Sequence, residues 1–514
     1  MPRTYLGVSG NALSILQLFL IVAPAFILFG YNQANIGGYL EESDWVKTFP
    51  EIDTVNSTGS EKSRKSTLQG FVVATFTIGA LVGSLSCSYT GDKFGRRNVI
   101  FAGGLATLIG EVLQGSAFSL AQFIVGRVLI GFGVGCLSSI VPVWQSETSG
   151  AKNRGKHVVL DGLFICVGYT LESWINLGFF EFVDGMITWR PPICLAIIFS
   201  LMLCASVYFF PESPRWLVMK GRSTEARSIV ASFRGHEEDA VEVIAEVSGI
   251  EHSLEETKVS GSKLTDMMTM GKDKLLYRFA LCILLQFYQQ MSGSNLISVY
   301  VPILFKKNIG LSAELSKILA AGAMTWKFLS SFIAFVAIDR FGRRAVFMIS
   351  GIGMCCCMTA LAITTSMDKS NKPAMIIAGC FIYLFNTFVP IGFLGANFLY
   401  CTEVAPLRLR MAMSSISTAN HWLWNFVVVM ITPVAIDTIS WRYFIVFAAV
   451  GACIPLSVYF FFPETMGRSL EEIETLFTEA PSAMATVKLA KQPPVPAIPV
   501  ESKKMEQVAH HEEP

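Results

Sequence analysis

Charged residues are scarce in this chain of 514 residues, and their scarcity excludes an ordinary soluble protein. They make up 15% of the sequence, whereas a soluble protein carries about 25%. The net charge of +1 gives no general attraction to nucleic acid, so no nucleic-acid partner is expected. Hydrophobic residues make up 52% of the chain, which predicts a membrane protein.

Signatures of enzymes and of ATP-driven pumps are also missing. The sequence has no Gly-rich phosphate-binding loop, no metal-ligand spacing and no Ser/His/Asp constellation. His421 is the only histidine that lies away from the ends of the apolar segments. The twelve cysteines lie in apolar segments, so no disulfide framework is indicated. We therefore predict no catalytic activity, no metal site and no cofactor.

Long apolar runs fill most of the chain. Twelve blocks of roughly 20 residues are each long enough to cross ~30 Å of hydrocarbon as a helix. They predict an all-α membrane protein with twelve transmembrane helices. The blocks lie near residues 13–35, 67–88, 97–117, 120–144, 157–179, 189–209, 276–305, 313–338, 345–366, 374–400, 411–435 and 440–462.

Short motifs recur about half a chain apart. Gly91–Arg97 is repeated as Asp339–Arg344, and Pro211-Glu212-Ser213 as Pro463-Glu464-Thr465. Two pseudo-symmetric six-helix halves are typical of transporters that rock around a central site. We expect an N-terminal half at 1–210, a cytoplasmic loop at 211–275, a C-terminal half at 276–463, and a largely disordered cytoplasmic tail at 464–514.

Lys and Arg concentrate in the loops on one side of the predicted membrane. The positive-inside rule makes these loops, and with them both termini, cytoplasmic. The plasma membrane is the expected location. Segment 38–66 then lies outside the cell, and it contains Asn56-Ser57-Thr58, the only Asn-x-Ser/Thr sequon. Glycosylation is therefore predicted at Asn56.

The motifs together carry a family resemblance over most of the chain. Their order and spacing resemble the sugar porter family of the major facilitator superfamily, in its fungal hexose-transporter-like branch. The resemblance implies a carrier of a hexose or pentose that works by alternating access in a lipid bilayer. The matched motifs are Gly91–Arg97, Gly126-Arg127, Pro142 to Glu147 with Arg154-Gly155, Pro211–Leu217, Gln289–Asn295, Asp339–Arg344, Glu403 with Arg408 and Arg410, and Pro463–Arg468.

The resemblance also implies a cytoplasmic gate. Acidic and basic groups at the helix ends are expected to pair when the gate closes and to separate when it opens. Such pairs are partly dehydrated, which makes them stronger than exposed ones. The alternative is that Arg and Lys only set the topology. The gate residues are Asp92, Arg96, Arg97, Glu147 and Arg154 in the first half, and Asp339, Arg343, Arg344, Glu403 and Arg410 in the second.

The expected sugar site also follows from the resemblance. Amides donate and accept hydrogen bonds without charge, which suits sugar hydroxyls. Inside an apolar block such amides are costly unless they face a cavity or another polar helix face. The chain departs from the family at Gly162, Lys327, Phe398 and His421. The expected substrate-binding residues are Gln289, Gln290, Asn295, Asn425, Lys327 and Phe398, with Tyr300 as a gate aromatic.

Four charged residues inside the apolar blocks are expected to be functional. Arg127 should pair with a carboxylate. A lysine at the centre of a membrane costs about 2.5–3.5 kcal/mol on insertion scales, so Lys327 also needs a partner. The candidates are Asp161 or Glu172 in the fifth helix, or the carboxylate of a substrate such as a sugar acid or a quinate-like anion. Otherwise Lys327 reaches an interface.

The first helix bears on whether transport is coupled to protons. Proton-coupled sugar porters carry an Asp in a Gly-Tyr-Asp stretch of the first helix, where this chain has Gly30-Tyr31-Asn32. An amide cannot titrate, so facilitated diffusion is favoured over proton symport. Asp161, Glu172 and Glu111 remain alternative proton carriers. A sugar sensor without transport activity is a further alternative, against which the short tail argues.

Overall fold

The computed structural model is built from helices that run back and forth through the length of the molecule. It describes residues 4–40, 42–149, 154–182, 188–260, 264–368, 370–406, 409–468 and 470–492. Within these residues, eleven helices are long and apolar enough to cross a membrane. The first six are α1 (Asn11–Ala34), α2 (Gly59–Phe94), α3 (Arg96–Gly115), α4 (Leu120–Thr148), α5 (Arg154–Phe182) and α6 (Arg190–Phe209).

The second half repeats this arrangement, with one helix that is broken. The segment 275–309, α7, consists of the helical pieces Leu275–Met291, Ser294–Val299, Val301–Ile303 and Leu304–Ile309. It corresponds to the seventh predicted block, and its breaks explain why only eleven continuous spans are found. The remaining five are α8 (Ala313–Phe341), α9 (Arg343–Ser366), α10 (Lys372–Val404), α11 (Arg410–Thr438) and α12 (Arg442–Phe461).

The break in α7 follows from its sequence. Gly293 has a φ of +91° and lies between the first two helical pieces. A side chain at this position would be strained, and its Cβ would lie 2.4 Å from Cε of Met358. The break places Gln289 and Gln290 at the end of one piece and Asn295 at the start of the next.

Small residues allow the helices of the first half to pack closely. A Cβ at Gly131 of α4 would lie 1.9 Å from the main-chain oxygen of Phe76 in α2. A Cβ at Gly79 of α2 would lie 2.1 Å from the main-chain oxygen of Val128 in α4. Larger side chains would separate the two helices, so these glycines serve packing.

Short helices also lie outside the spans. Between the halves lie the short helices Pro214–Met219, Ser223–Arg234 and Val241–Ser260. After α12 follow Leu470–Glu479 and Ala483–Leu489. The expectation of a largely disordered tail is therefore wrong for this stretch, because Phe477 packs on Tyr277 and Glu474 binds Arg278 at 2.7 Å. Residues 493–514 lie outside the described part.

Candidate functional site

Amide side chains of α7 meet at the break in that helix. The side-chain nitrogen of Asn295 donates to Oε1 of Gln290. Nε2 of Gln290 lies 2.9 Å from Nε2 of His421 in α11. All three side chains are buried. The break in the helix thus brings together the amides of Gln290 and Asn295, which an unbroken helix would place on different faces.

The amide cluster reaches the first half through α1 and α5. Nε2 of Gln33 donates to Oδ1 of Asn295 at 3.0 Å. Oε1 of Gln33 accepts a hydrogen bond from the hydroxyl of Tyr169 at 2.8 Å. The hydrogen-bonded chain therefore joins the two halves, and a molecule bound in its place would contact both.

The cluster continues toward α10 through Gln289. The side-chain nitrogen of Asn397 donates to Oε1 of Gln289 at 2.6 Å and to Oε1 of Gln286 at 3.0 Å. Nδ1 of His421 lies 2.8 Å from the same oxygen of Gln289. Because that oxygen only accepts, Nδ1 carries the proton, and Nε2 accepts from Gln290. His421 is thus a neutral ring that both donates and accepts.

Aromatic rings border the amides. The ring of Phe29 in α1 lies 4.9 Å from that of Trp422 in α11, and Phe398 in α10 lies 5.9 Å from His421. The indole nitrogen of Trp422 donates to Ser138 of α4 at 3.3 Å. Rings of this kind give a ligand an apolar surface beside its polar contacts.

Asn425 and Tyr300, two further expected sugar ligands, form no side-chain hydrogen bond with the amide cluster among the described residues. Asn425 is fully buried, one helical turn after His421, and neither its Nδ2 nor its Oδ1 has a hydrogen-bond partner among the described residues. Tyr300 is buried and donates to the main-chain oxygen of Val429 at 2.9 Å. Gln289, Gln290, Asn295 and Phe398 are therefore brought together, whereas Tyr300 holds α7 against α11.

Lys327 does not have the internal carboxylate partner that the sequence favoured. Its Nζ donates to Oγ of Ser298 at 2.6 Å and lies 4.6 Å from the centre of the Tyr169 ring. Neither Asp161 nor Glu172 forms an ion pair with it in this conformation. The hydroxyl and the aromatic face replace the expected carboxylate as the partners that make burial of the ammonium tolerable. Lys327 therefore borders the amide cluster through Tyr169.

The two acidic residues of α5 have different surroundings. Both carboxylate oxygens of Asp161 lack a hydrogen-bond partner within the described chain. Oε1 of Glu172 accepts from the side chain of Asn176 at 3.2 Å. The two residues are buried, but they form no joint site.

The prediction that Arg127 pairs with a carboxylate is also wrong for this structure. Its guanidinium donates to the main-chain oxygens of Asn32 at 3.1 Å and Val73 at 2.9 Å, and to Oδ1 of Asn35 at 3.3 Å. It lies 5.0 Å from the centre of the Phe76 ring. Carbonyl groups and a ring face thus take the place of the expected acid.

The repeated loops form the same structure in both halves, at what we call the motif end of the molecule. Arg96 binds Glu147 with contacts of 2.9 and 3.0 Å, and Arg343 binds Glu403 with contacts of 3.3 and 3.0 Å. Asp92 adds a contact of 3.0 Å to Arg96. These bidentate pairs connect helices within one half. The expectation of a lock between the halves therefore does not describe these pairs.

The Pro-Glu motifs complete these loops. Glu212 accepts from the main-chain nitrogens of Arg96 and Arg97 at 3.0 and 3.1 Å, and so caps the start of α3. Burial raises the pKa of the Glu212 carboxyl, while these N–H groups act in the opposite direction. Glu464 caps α9 in the same way, through Arg343 and Arg344 at 3.0 Å each.

The remaining expected gate residues at the motif end form no ion pair that joins the two halves among the described contacts. Arg97 donates to the main-chain oxygen of Phe210 at 3.0 Å, and Arg344 donates to that of Val458 at 3.3 Å. Arg410 is buried at the start of α11. The side chains of Arg154 and Asp339 lie outside the description.

An ion pair joins the two halves at the opposite end, which carries the α1–α2 loop. Nζ of Lys317 in α8 lies 2.5 Å from Oε1 of Glu42, and 3.5 Å from the centre of the Phe180 ring. Burial raises the pKa of the Glu42 carboxyl, and Lys317 opposes that effect. Both side chains are largely buried. Sequence reasoning missed this contact because neither residue belongs to a repeated motif.

Asn56 is exposed in the same loop. Its side-chain nitrogen donates to Asp53 at 2.9 Å, and its main-chain nitrogen donates to the same carboxylate at 3.0 Å. Slight burial acts to raise the pKa of the Asp53 carboxyl, but the hydrogen bonds from Asn56 and Val55 outweigh it and lower that pKa. The sequon therefore lies in an ordered turn, and glycosylation stays a prediction.

Several members of the central cluster were not predicted as ligands. These are Gln33, Tyr169, Gln286, Asn397 and Trp422. The three amides among them could have been noticed in the sequence, because an amide inside an apolar block needs a polar neighbour. The hydrogen bond between Gln33 and Asn295 could not be predicted, since the two residues lie in different halves.

Comparison with known proteins relates this arrangement to one family. The family model described as "Sugar (and other) transporter" matches residues 18–477. The sugar transporter STL1 of Saccharomyces cerevisiae is 34% identical over 481 residues, which cover 92% of this chain and 83% of that protein. The low-affinity glucose transporter HXT1 of the same yeast is 30% identical over 474 residues, which cover 89% and 81%.

Solved structures give the same fold. The MFS proton:xylose symporter XylE bound to 6-bromo-6-deoxy-D-glucose matches with a TM-score of 0.79 at 24% identity, covering 91% of this chain and 100% of that chain. An inward-open structure of the xylose transporter XylE from E. coli matches with a TM-score of 0.69 at 24% identity, covering 90% and 99%. The predicted all-α membrane fold, with twelve helices in two halves, is confirmed.

Proposed function

Since the chain belongs to the family of sugar (and other) transporters, we propose that it carries a monosaccharide, a hexose or a pentose, across the plasma membrane by alternating access. It is a multi-pass membrane carrier and not an enzyme. The observation that carries the proposal is the central cluster, in which amides from both halves lie beside aromatic rings. The names of its relatives, a sugar transporter and a glucose transporter, support the same substrate class.

The amide cluster supplies a reversible site for a polyhydroxylated ligand. Asn295 binds both Gln33 and Gln290 in this structure, so each of the three amides has a polar partner within the protein. A sugar hydroxyl both donates and accepts, and can replace each of these bonds one for one. Sugar binding then exchanges amide–amide hydrogen bonds for amide–hydroxyl hydrogen bonds and leaves few groups unpaired. The net gain in free energy is small, which keeps the affinity moderate and release fast.

Alternating access requires that the contacts between the halves break at one end at a time. At the opposite end the contacts include the Glu42–Lys317 pair and a close approach in which a Cβ at Gly37 would lie 2.0 Å from the oxygen of Val299. At the motif end, a Cβ at Gly162 of α5 would lie 2.9 Å from the nitrogen of Gly395 in α10. The intra-half ion pairs keep each half rigid as these contacts open.

The orientation is part of the proposal. The loops rich in Lys and Arg place the motif end and both termini in the cytoplasm. The Glu42–Lys317 pair is then an extracellular contact, and Asn56 lies on the side where a glycan can be attached. The ion pairs at the motif end then lie on the cytoplasmic side, where they hold the helix ends of each half together.

A second candidate substrate class is a sugar acid or a quinate-like anion. The observation that favours it is Lys327, which has a hydroxyl and a ring as its partners and no carboxylate among the described residues. A substrate carboxylate in the neighbouring cluster would supply the missing negative charge. The neutral sugar stands first because all the other groups of the cluster are neutral.

Uptake in cells that lack their own sugar carriers tests the proposal. Labelled D-glucose, D-xylose, galacturonate and quinate are offered separately to cells that express the chain and to cells with an empty vector. We expect saturable uptake of glucose or xylose that the unlabelled sugar inhibits. Uptake of the acids alone would select the second candidate, and uptake of none, with the protein at the cell surface, would overturn the proposal.

A further inference from the structure

Two amides at the edge of the central cluster keep one free atom each. Nδ2 of Asn397 in α10 donates to Oε1 of Gln286 in α7 at 3.0 Å. Oδ1 of Asn397 and Nε2 of Gln286 have no hydrogen-bond partner among the described residues. Both side chains are fully buried, and the thiol of Cys401, which also interacts with Gln286, is only a weak partner. An acceptor and a donor are therefore left over on two side chains in direct contact.

Rotation of the two amides does not remove these free atoms. Oε1 of Gln289 accepts from Asn397 at 2.6 Å and lies 2.8 Å from Nδ1 of His421. Oε1 of Gln286 faces the same two donors, at 3.0 and 3.2 Å. Turning over the amide of Asn397 would set its oxygen against both glutamine oxygens, and turning over Gln286 would set its nitrogen against both donors. The free acceptor and the free donor thus follow from the arrangement of the cluster.

A cavity adjoins the amide of Gln286 on the side toward the motif end. Its lining includes Gln286, Phe398, Ser139 and Thr402, the residue before Glu403. Ser139 is buried, and its hydroxyl also lacks a hydrogen-bond partner in the described part of the chain. The cavity has room for about one water-sized group. A single polar group of the size of a hydroxyl therefore fits beside Gln286.

The chemistry of this place suits a hydroxyl group. None of the described residues that line the cavity carries a charge, so a carboxylate or an ammonium would be buried there without a counter-ion. A hydroxyl donates one hydrogen bond and accepts another, and can thus satisfy Oδ1 of Asn397 and Nε2 of Gln286 together. A hydrogen atom or a methyl group in its place would leave both unpaired.

The two free atoms lie within reach of a sugar bound at the amide cluster. Gln286 precedes Gln289 by nearly one turn of α7, about 4.5 Å along the axis. Asn397 also binds Gln289, and its neighbour Phe398 borders the cluster. One monosaccharide, with hydroxyls around its whole ring, spans such a distance. The hydroxyl beside Gln286 can therefore belong to the same molecule that the other amides hold.

We propose that Asn397 and Gln286 form a subsite for one hydroxyl group of the transported monosaccharide. The inference rests on the proposed function and extends it. The hydroxyl donates to Oδ1 of Asn397 and accepts from Nε2 of Gln286, while other hydroxyls of the sugar bind the amides of the cluster. Asn397 then determines specificity, because a sugar without this hydroxyl leaves two buried polar atoms unpaired and binds less tightly.

Competition between sugars tests the subsite. Cells that lack their own sugar carriers express the chain and take up labelled D-glucose, or labelled D-xylose if glucose is not carried. Unlabelled monodeoxy derivatives of that sugar, each without one hydroxyl, compete for uptake. In the wild type, the derivative that lacks the bound hydroxyl should have an inhibition constant about tenfold above that of the parent sugar. In Asn397→Leu this ratio should fall to about two or less, whereas the ratios of the other derivatives stay as in the wild type.

A general disturbance of the cluster gives a different result. Asn397→Leu also removes the hydrogen bonds to Gln286 and Gln289, and this loss weakens the binding of every derivative by a common factor. Only the loss of a direct contact abolishes the penalty for one particular hydroxyl, as in a double-mutant cycle between protein and ligand.

A second variant and a control complete the experiment. Gln286→Met, which removes Nε2 from a side chain of similar length, should abolish the penalty for the same derivative. If Asn397→Leu does not reach the cell surface, Gln286→Met decides. Asn420→Leu changes an amide of α11 that does not join the cluster, and it should alter no ratio.

Two results would overturn the inference. In the first, the ratios of all derivatives in both variants equal those of the wild type, which leaves the two amides with a packing role or a bound water only. In the second, Asn397→Leu and Gln286→Met abolish the penalties for different hydroxyls. Absence of saturable uptake of either sugar by the wild type would instead refute the proposed function, so the two failures are distinguishable.

Discussion

Lys317 and Glu42 form a buried ion pair of 2.5 Å between α8 and the loop after α1. The pair joins the two halves at the end opposite the repeated motifs. It is the kind of contact that must break when that end opens. Glu172 of α5 also interacts electrostatically with Lys317, so the lysine faces two acids of the first half across the interface.

Removal of this pair should favour opening of that end. Lys317→Ala should raise the rate at which a membrane-impermeant maleimide labels a cysteine placed at Ser173, which lines the cavity beside Lys317. We expect at least a tenfold rise, equivalent to about 1.4 kcal/mol. The measurement is the labelling rate in intact cells.

Lys307→Ala is the matched control for this experiment. Lys307 binds Asp437 at 3.2 Å, but both residues belong to the second half. Its removal should leave the labelling rate unchanged. The exchanged pair Glu42→Lys with Lys317→Glu should restore slow labelling. Equal effects of the two alanine changes would show that the Glu42–Lys317 pair does not hold the halves together.

The ion pair of Glu403 supports a second prediction. Glu403→Arg places two guanidinium groups together in a buried site, and breaking a buried pair costs about 3–5 kcal/mol. We expect a lower melting temperature and a transport rate reduced at least tenfold. Arg343→Glu should rescue both, because Arg343 is the residue that binds Glu403.

Arg344→Glu gives the contrasting variant. Arg344 donates to main-chain oxygens at the end of α12 and does not bind Glu403. It should therefore fail to rescue Glu403→Arg. Rescue by both changes would mean that only the total charge of this loop matters, as in the alternative in which the motif sets the topology.

The fold could be predicted because its determinants are local in sequence. A run of about 20 apolar residues suffices to indicate a span, and repetition of Gly91–Arg97 indicates the two halves. The break in α7 is local as well, since it falls at Ser292-Gly293-Ser294, which interrupts an apolar run. These features need no knowledge of which helices touch.

The partners of the buried charges could not be predicted in this way. Lys327 binds Ser298, and Arg127 binds the main chain of Asn32, whereas carboxylates were expected in both cases. A sequence gives the cost of a buried charge but not the carbonyls and ring faces that offset it. The hydrogen bond from Asn32 to Glu111 could not be predicted either, because it depends on how α1 and α3 pack.

The central amides lead to a third prediction. Gln290→Ala or Asn295→Ala should weaken transport at least tenfold, about 1.4 kcal/mol of lost binding, because each removes a group that can bond a hydroxyl. Uptake at several sugar concentrations should show the change mainly in KM. Surface expression should be unaltered.

Asn420→Ala is the control for the loss of an amide outside the cluster, at a half-buried position. Asn420 lies on α11 beside His421, but its side chain donates to the main-chain oxygen of Ile283 at 3.0 Å and does not join the cluster. Its removal should leave KM unchanged. Normal kinetics of both Gln290→Ala and Asn295→Ala would exclude these residues from the sugar site.

Lys327 provides the final prediction, in which the structure reverses an expectation from sequence. If Lys327 neutralised Asp161 or Glu172, Lys327→Asn would leave a buried carboxylate unpaired, and a second change of that carboxylate would restore expression. In the structure Nζ binds Ser298 and lies over Tyr169, so removal of the ammonium leaves no acid without its partner. We expect Lys327→Asn to reach the cell surface at the wild-type level and to keep neutral-sugar uptake within about threefold, a difference of less than 1 kcal/mol. Adding Asp161→Asn or Glu172→Gln should give no rescue. A fall in expression that either second change repairs would show that Lys327 pairs with that acid in another state of the transport cycle. Loss of acid uptake alone would identify the ammonium as the partner of a substrate carboxylate.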